Sequence, residues 1–153
     1  MTLSRRTVLT TSASVALAAF FGLEQGFAEV ADVTKAIEDF SDGVEASEGA
    51  LTLTTPEIAE NGFSVPVSLV VESPMTEDNY VDSVLLIAEG NPVPEVATFR
   101  FSPMSGEAKA STRLRLAKTQ NVIAFAKFSN GEIYKTSNHV KVTIGGCGHE
   151  PGE

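Results

Sequence analysis

Two hydrophobic periods follow one another after an apolar N-terminal stretch, and the switch between them sets out the architecture. Val30, Val33, Ile37 and Phe40 recur at helical spacing, with Asp32, Lys35, Glu38 and Asp39 on the other side. That spacing predicts a short amphipathic helix, ended by Asp42-Gly43. Beyond it the period is two. Leu51 and Leu53 alternate with threonines, and Phe63, Val65, Val67, Leu69 and Val71 alternate with Ser64, Pro66, Ser68, Val70 and Glu72. Strands with one buried face read this way. Pro66 lacks a backbone donor, so its strand is expected at an edge or bulged at that point. Further runs at 81–88, 96–101, 111–116, 122–128, 132–136 and 140–144 are mostly separated by turn signals, at Gly90-Asn91-Pro92, Ser102-Pro103, Ser105-Gly106 and Asn130-Gly131. Asn-Gly between alternating runs is the strongest short-range hairpin signal among them. The spacing predicts an all-β fold of about seven strands, an immunoglobulin-like antiparallel β-sandwich with the short helix packed at its N-terminal side. The inter-sheet disulfide and tryptophan of antibody domains are missing, since the chain has one cysteine and no tryptophan.

The ends divide the chain into three parts. Ser4-Arg5-Arg6-Thr7-Val8-Leu9 has the twin-arginine form, and the apolar stretch from Val8 to Leu23 is diluted by Thr10, Thr11, Ser12 and Ser14. A membrane anchor is the competing use of such a stretch. This one is short and hydroxyl-rich, and Gly26-Phe27-Ala28 offers a small-residue cleavage site, so residues 1–28 are expected to be a twin-arginine signal peptide removed after Ala28. The expected location is the periplasm, with no membrane attachment. Residues 29–144 then form one sandwich domain, and residues 145–153 a flexible arm. That arm is almost all glycine and glutamate around Cys147, His149 and Pro151, and lacks an apolar residue to anchor it.

Charge narrows the partners. The formal net charge is −9, and the first 28 residues carry Arg5, Arg6 and Glu24, a net +1, so the mature chain would carry −10. Nucleic acid is an improbable partner for such a chain. Between Glu29 and Glu95 the one basic residue is Lys35 among fifteen acids, whereas from Val96 to Glu153 eight Lys and Arg outnumber four acids. This asymmetry is compatible with steering a partner or with a plainly solvated surface. Arg113 and Arg115 alternate with Leu114 and Leu116 and therefore share one face of a strand, either as an anion-binding pair or as an exposed sheet face.

The single cysteine carries the clearest chemistry. Cys147 lies in Gly145-Gly146-Cys147-Gly148, just beyond the last apolar run, on glycines that leave the backbone free to swing. At roughly 3.3 Å per extended residue the sulfur stands on the order of 10 Å clear of the domain. In an oxidising compartment an odd cysteine is either reactive or joined to another molecule. Two uses stay open, covalent carriage of a substrate and disulfide exchange with another chain. Catalysis by the chain itself needs a base and an orienting group held in place, and Cys147 has nearby only His149 and Glu150 on the same glycine-rich segment. A closed metal site needs three or four ligands, against one cysteine and two histidines, His139 and His149. His139 reads as a solvent-facing residue at the start of the last strand.

The segment Thr55-Pro56-Glu57-Ile58-Ala59-Glu60-Asn61-Gly62, then Val65-Pro66-Val67, Asn91-Pro92, Arg113-Leu114-Arg115-Leu116-Ala117, Thr119-Gln120 and the closing Val142-Thr143-Ile144-Gly145-Gly146-Cys147-Gly148 together resemble the SoxY family. These are the sulfur-carrier proteins of the Sox thiosulfate-oxidation system. The resemblance covers nearly the whole mature chain and includes the twin-arginine signal. It implies a sandwich that pairs with SoxZ as a heterodimer, needs no cofactor and is not itself an enzyme. It implies further that Cys147 is the covalent attachment point for thiosulfate, sulfane and sulfonate adducts, with Gly145, Gly146 and Gly148 as a swinging arm. In that family the haem enzyme SoxXA loads thiosulfate onto the cysteine, SoxB hydrolyses sulfate from the adduct, and SoxCD oxidises the remaining sulfur. The chain departs from the family at its end. Where the family usually stops at or soon after Gly-Gly-Cys-Gly-Gly, here Gly148 is followed by His149-Glu150-Pro151-Gly152-Glu153, which adds bulk and negative charge beyond the thiol.

Overall fold

The structure, a computed structural model, describes residues 24–144, with side chains from Asp32 onward. The expected signal peptide as far as residue 23, and Gly145, Gly146, Cys147, Gly148 and His149 at the other end, lie outside the described residues. Helix α1 (Glu24–Ser41) is followed by strands β1 (Leu51–Thr54), β2 (Ile58–Ala59), β3 (Val65–Val71), β4 (Val81–Ala88), β5 (Glu95–Arg100), β6 (Ala108–Leu114), β7 (Gln120–Phe128) and β8 (Ile133–Val142). The strands form two sheets, β1-β3-β6 and β2-β8-β7-β4-β5. All pairings are antiparallel except the short parallel join of β2 to β8. The expected all-β sandwich with one N-terminal helix is the observed fold.

Two separate apolar layers hold it together, and the central strands serve both. In β4, Val84, Leu86 and Ala88 face the other sheet, while Leu85 and Ile87 face outward. In β7, Val122, Ala124, Ala126 and Phe128 face inward, and Ile123 and Phe125 outward. The outward set is covered by Val33, Ala36, Ile37 and Phe40 of α1, which places the helix flat on the outer face of the five-stranded sheet. Double-sided burial explains why 84–87 is an uninterrupted apolar run where a strand with one wet face would alternate. The helix stops at Ser41 because Asp42 and Gly43 both take positive φ, 51° and 77°. Asp and Gly are among the residues that tolerate this region. Lys127 pairs with Asp42 and also donates to the Phe40 carbonyl at 3.4 Å, putting a cation at the helix C-terminus where the backbone dipole favours it. Helix α1 begins at Glu24, six residues before the first position of the predicted amphipathic pattern.

Two expectations need correcting. The runs 132–136 and 140–144 are not two strands but the single strand β8. The polar residues between them keep the alternation, and Asn138, turned inward, donates its amide to the Leu53 carbonyl at 2.8 Å across the sandwich. His139 therefore sits inside the last strand instead of beginning it. The strand holding Pro66 is the middle one of its sheet, with no bulge at that residue. Its missing donor does no harm because β1 ends with Thr54 opposite Ser68, leaving Pro66 a neighbour on one side alone, Arg113 of β6. Residues 58–59, which the alternation leaves unassigned, form the edge strand β2. The Asn130-Gly131 hairpin is present as expected: Gly131 has φ 89° and donates to the Phe128 carbonyl at 3.0 Å. Among the described residues, no helix is long and apolar enough to cross a membrane.

The outer layer gives a direct test. Phe125, 5 % exposed, is the largest of the buried side chains that the sheet sets against the helix. Phe125→Ala is expected to lower the unfolding free energy by about 3–4 kcal/mol, measured by urea titration. A loss below about 1 kcal/mol would mean that the helix does not form a packed layer with the sheet.

Candidate functional site at the end of the last strand

The segment preceding the cysteine is held on both flanks. On one flank β2 runs parallel to the end of β8, with Ile58 opposite Lys141 and Ala59 opposite Val142. Lys141 N–H donates to the Glu57 carbonyl at 2.9 Å and Thr143 N–H to the Ala59 carbonyl at 3.0 Å. The chain then turns at Asn61, whose side-chain oxygen accepts from Phe63 N–H at 2.8 Å. Such an Asx turn mimics a backbone turn. It presents Gly62 N–H to the Ile144 carbonyl at 2.7 Å, while the Gly62 carbonyl accepts from Leu116 N–H at 2.8 Å. Gly62 thus ties the end of β8 to the chain leaving β6.

On the other flank the bonds come from a side chain. The β7–β8 ladder ends with Gln120 opposite Val140, and the next residue back, Thr119, takes over. Its Oγ1 accepts from Val142 N–H at 3.0 Å and lies 3.4 Å from the Val142 carbonyl, to which it donates.

Thr119 is carried by a loop that a buried polar network fixes. Asn91 and Gln120 are 8 % and 4 % exposed. Asn91 donates to the Arg115 carbonyl at 2.8 Å and accepts from Ala117 N–H at 2.9 Å and from the Gln120 amide at 3.0 Å. Gln120 also donates to the Lys118 carbonyl at 3.1 Å and accepts from Gly90 N–H at 2.8 Å. Both amides use donor and acceptor ends, which removes the cost of burying them. A Cβ on Gly90 would fall 2.7 Å from Lys118 Cε and 3.1 Å from Gln120 Cβ, so the turn at 90 packs directly against the loop. Beside the network a cleft of about 350 Å³ opens between α1 and residues 118–120, with Thr119 in its wall.

The other candidate residues fall as follows. Arg113 and Arg115 are both exposed, with Leu114 and Leu116 buried between and beyond them. Arg113 donates to Ser64 Oγ at 3.2 Å. His139 is exposed, with Nδ1 2.9 Å from Asn121 Oδ1, and Asn121 in turn donates to Glu89 at 2.6 Å. Among the described residues, no group of three or more His, Cys, Asp and Glu is placed to hold a metal ion.

Residues 37–147 match the family model described as sulfur oxidation protein SoxY, so that Cys147 is the last residue matched. The chain belongs to the SoxY family. A solved SoxY, described as the sulfur carrier protein from Chlorobium limicola f thiosulfatophilum, is 30% identical with a TM-score of 0.63, the match covering 75% of this chain and 99% of that one. A superoxide reductase (neelaredoxin) from Ignicoccus hospitalis matches at 19% identity and a TM-score of 0.55, over 68% of this chain and 91% of its own. A putative superoxide reductase from Thermotoga maritima matches at 17% identity with the same TM-score, over 67% and 96%. At these identities the two reductases show a shared fold alone. None of the curated proteins matches.

For this SoxY family member the pieces that carried the resemblance now have positions. Thr55 to Gly62 is the flank of the last strand, Thr119 is its opposite flank, and Asn91 with Gln120 is the network beneath. Sequence reading took Gly90-Asn91-Pro92 as a turn signal and attached no side-chain role to any of these residues.

Asn91→Ala strands the Ala117 N–H and a Gln120 amide donor in a buried site, and is expected to cost about 2–3 kcal/mol in urea unfolding. Asn138→Ala, which removes a single side-chain bond to Leu53, is expected to cost about 1 kcal/mol. Equal losses would show that the Asn91 network does not act as a unit.

Proposed function

We propose that this chain is a periplasmic sulfur carrier that holds oxidation intermediates of thiosulfate covalently on Cys147 and presents them to Sox enzymes. The observation that carries the reading is membership of the SoxY family with Cys147 as the last matched residue, directly beyond a strand end held on both flanks. The twin-arginine signal supports export, and SoxZ is the partner the family implies. The chain supplies no catalysis. Loading forms an S–S bond between the Cys147 sulfur and the outer sulfur of thiosulfate, releases the thiol proton and passes two electrons to the haem of SoxXA. Water then attacks the sulfonate under SoxB, sulfate leaves, and a persulfide remains on Cys147 for SoxCD where that enzyme is present. Each enzyme receives the same tethered sulfur, so no free intermediate is lost between steps.

Cys147→Ser is expected to abolish attachment while leaving the fold and SoxZ binding unchanged, read by intact mass of protein incubated with thiosulfate and SoxXA. Retained attachment would sink the carrier reading. Free thiol plus disulfide-linked dimer, with no sulfur adduct on the wild type, would favour the thiol-exchange use of Cys147 instead. Trimming the chain after Gly148 is expected to leave loading intact or faster, because His149 to Glu153 add bulk and negative charge beside an anionic adduct. A large loss of loading would mean that an enzyme recognises this extension.

A further inference from the structure

We propose that Thr119 and Gly62 are positioning residues that place the fulcrum of the sulfur-bearing segment at Ile144. The inference rests on the carrier reading for its purpose and on backbone geometry for its content. Strand β8 loses its β7 partner after Val140, opposite Gln120. A strand end left there would fray, since terminal pairs with exposed hydrogen bonds open at little cost. Instead Val142 is bonded at N–H and carbonyl by the Thr119 hydroxyl, Thr143 N–H by the Ala59 carbonyl, and the Ile144 carbonyl by Gly62 N–H. Backbone hydrogen bonding is therefore carried four residues past the β7 ladder, to Ile144.

The arrangement is specific to this end of the strand. Among the described residues, Thr119 is the one whose hydroxyl serves both backbone groups of the same β8 residue, and it stands in the wall of an open cleft. Val142 keeps its side chain in the core, but Thr143 and Ile144 are exposed, so beyond Val142 the chain is held by these backbone bonds alone. Asn61 orients Gly62 through its Asx turn, and Gly62 is pinned from behind by Leu116 N–H. Both clamps lead back to the 115–120 loop, the first through Thr119 itself and the second through Leu116.

The consequence is a short tether. From Ile144 to Cys147 is three residues, a reach of roughly 10 Å at about 3.3 Å each, whereas release from Thr143 onward lengthens it to five residues, roughly 17 Å. The effective concentration of a tethered group falls as about the −3/2 power of tether length, so this lengthening dilutes the thiol about twofold at a mouth docked against the domain. The clamp keeps the thiol concentrated where the enzyme must find it.

The test compares Thr119→Val, which has the same shape but no hydroxyl, with Thr119→Ser, which restores it, and with the double variant Thr119→Val/Asn61→Ala. Amide exchange at Val142 and Thr143 is expected to quicken about tenfold in Thr119→Val and further in the double variant, and a nitroxide on Cys147 to become more mobile. With SoxXA and thiosulfate, kcat for loading by the double variant is expected to fall about twofold at unchanged KM, with Thr119→Ser close to wild type. Alkylation of Cys147 by iodoacetamide should not change, since thiol chemistry is untouched. Unchanged exchange and label mobility in both Val-containing variants would overturn the fulcrum, even if wild-type protein loads normally. Failure of the wild type to take up sulfur would overturn the carrier reading, and the exchange and nitroxide data, which need no loading, would still decide the fulcrum.

Discussion

The antiparallel pairing of β7 with β8, from Gln120 opposite Val140 to Lys127 opposite Ile133, sets every other relation at the C-terminal end of this fold. It turns Ile133 toward the helix and Val140 and Val142 toward the opposite sheet. It brings His139 beside Asn121, aims Asn138 at the Leu53 carbonyl, and leaves the Thr119 hydroxyl within hydrogen-bond reach of Val142. Because side chains alternate with period two, a slip of one residue would send the whole apolar set of β8 to the wrong face. The hairpin at Asn130-Gly131 prevents that slip by fixing the loop length. A local turn signal thus determines where the chain emerges from the sandwich more than ten residues later.

Burial on both faces of β4 and β7 explains how a chain without an internal disulfide keeps that register. With one cysteine, the domain has to hold by packing. The helix doubles the number of apolar faces the central strands can bury, and Lys127, reaching from β7 to Asp42 and the Phe40 carbonyl, joins helix and sheet at the helix end. The two buried amides among the described residues, Asn91 and Gln120, belong to one network, where they order a loop. Satisfied networks of this kind confer rigidity and a unique arrangement more than net stability. A rigid base is what a carrier requires if the group it presents is to be found within a small volume.

Much of this was visible in the residues before any coordinates, and what was not shares a physical cause. The helical spacing of Val33, Ile37 and Phe40, the alternation in β3 and the Asn-Gly turn are local signals, and each was readable. Cys147 was readable from chemistry, as the one thiol in the chain set among glycines. The single strand β8 was missed because Ser137-Asn138-His139 looks like a loop until Asn138 meets Leu53, 85 positions away. Strand β2 was missed because two residues have no period. The middle position of Pro66 depended on where β1 happens to end. Thr119, Gly62, Asn91 and Gln120 have partners about 20 to 80 residues distant, and no periodicity encodes such pairs.

The superoxide reductases that share this sandwich at 17–19% identity bound what the fold itself can say. Two layers of strands over an apolar interior are compatible with unrelated chemistries, and function has to be read from what is attached to them. Here the informative features sit together at one end of one strand: a short parallel neighbour, a hydroxyl that substitutes for a missing ladder partner, and a glycine tied to two strands' ends. None of these adds appreciably to the apolar interior. Their common effect is to carry backbone order out to Ile144, beyond the point at which the sandwich would ordinarily release the chain. Order maintained at that cost is understandable if the position of the next few residues matters, and the residue three places on is the only cysteine.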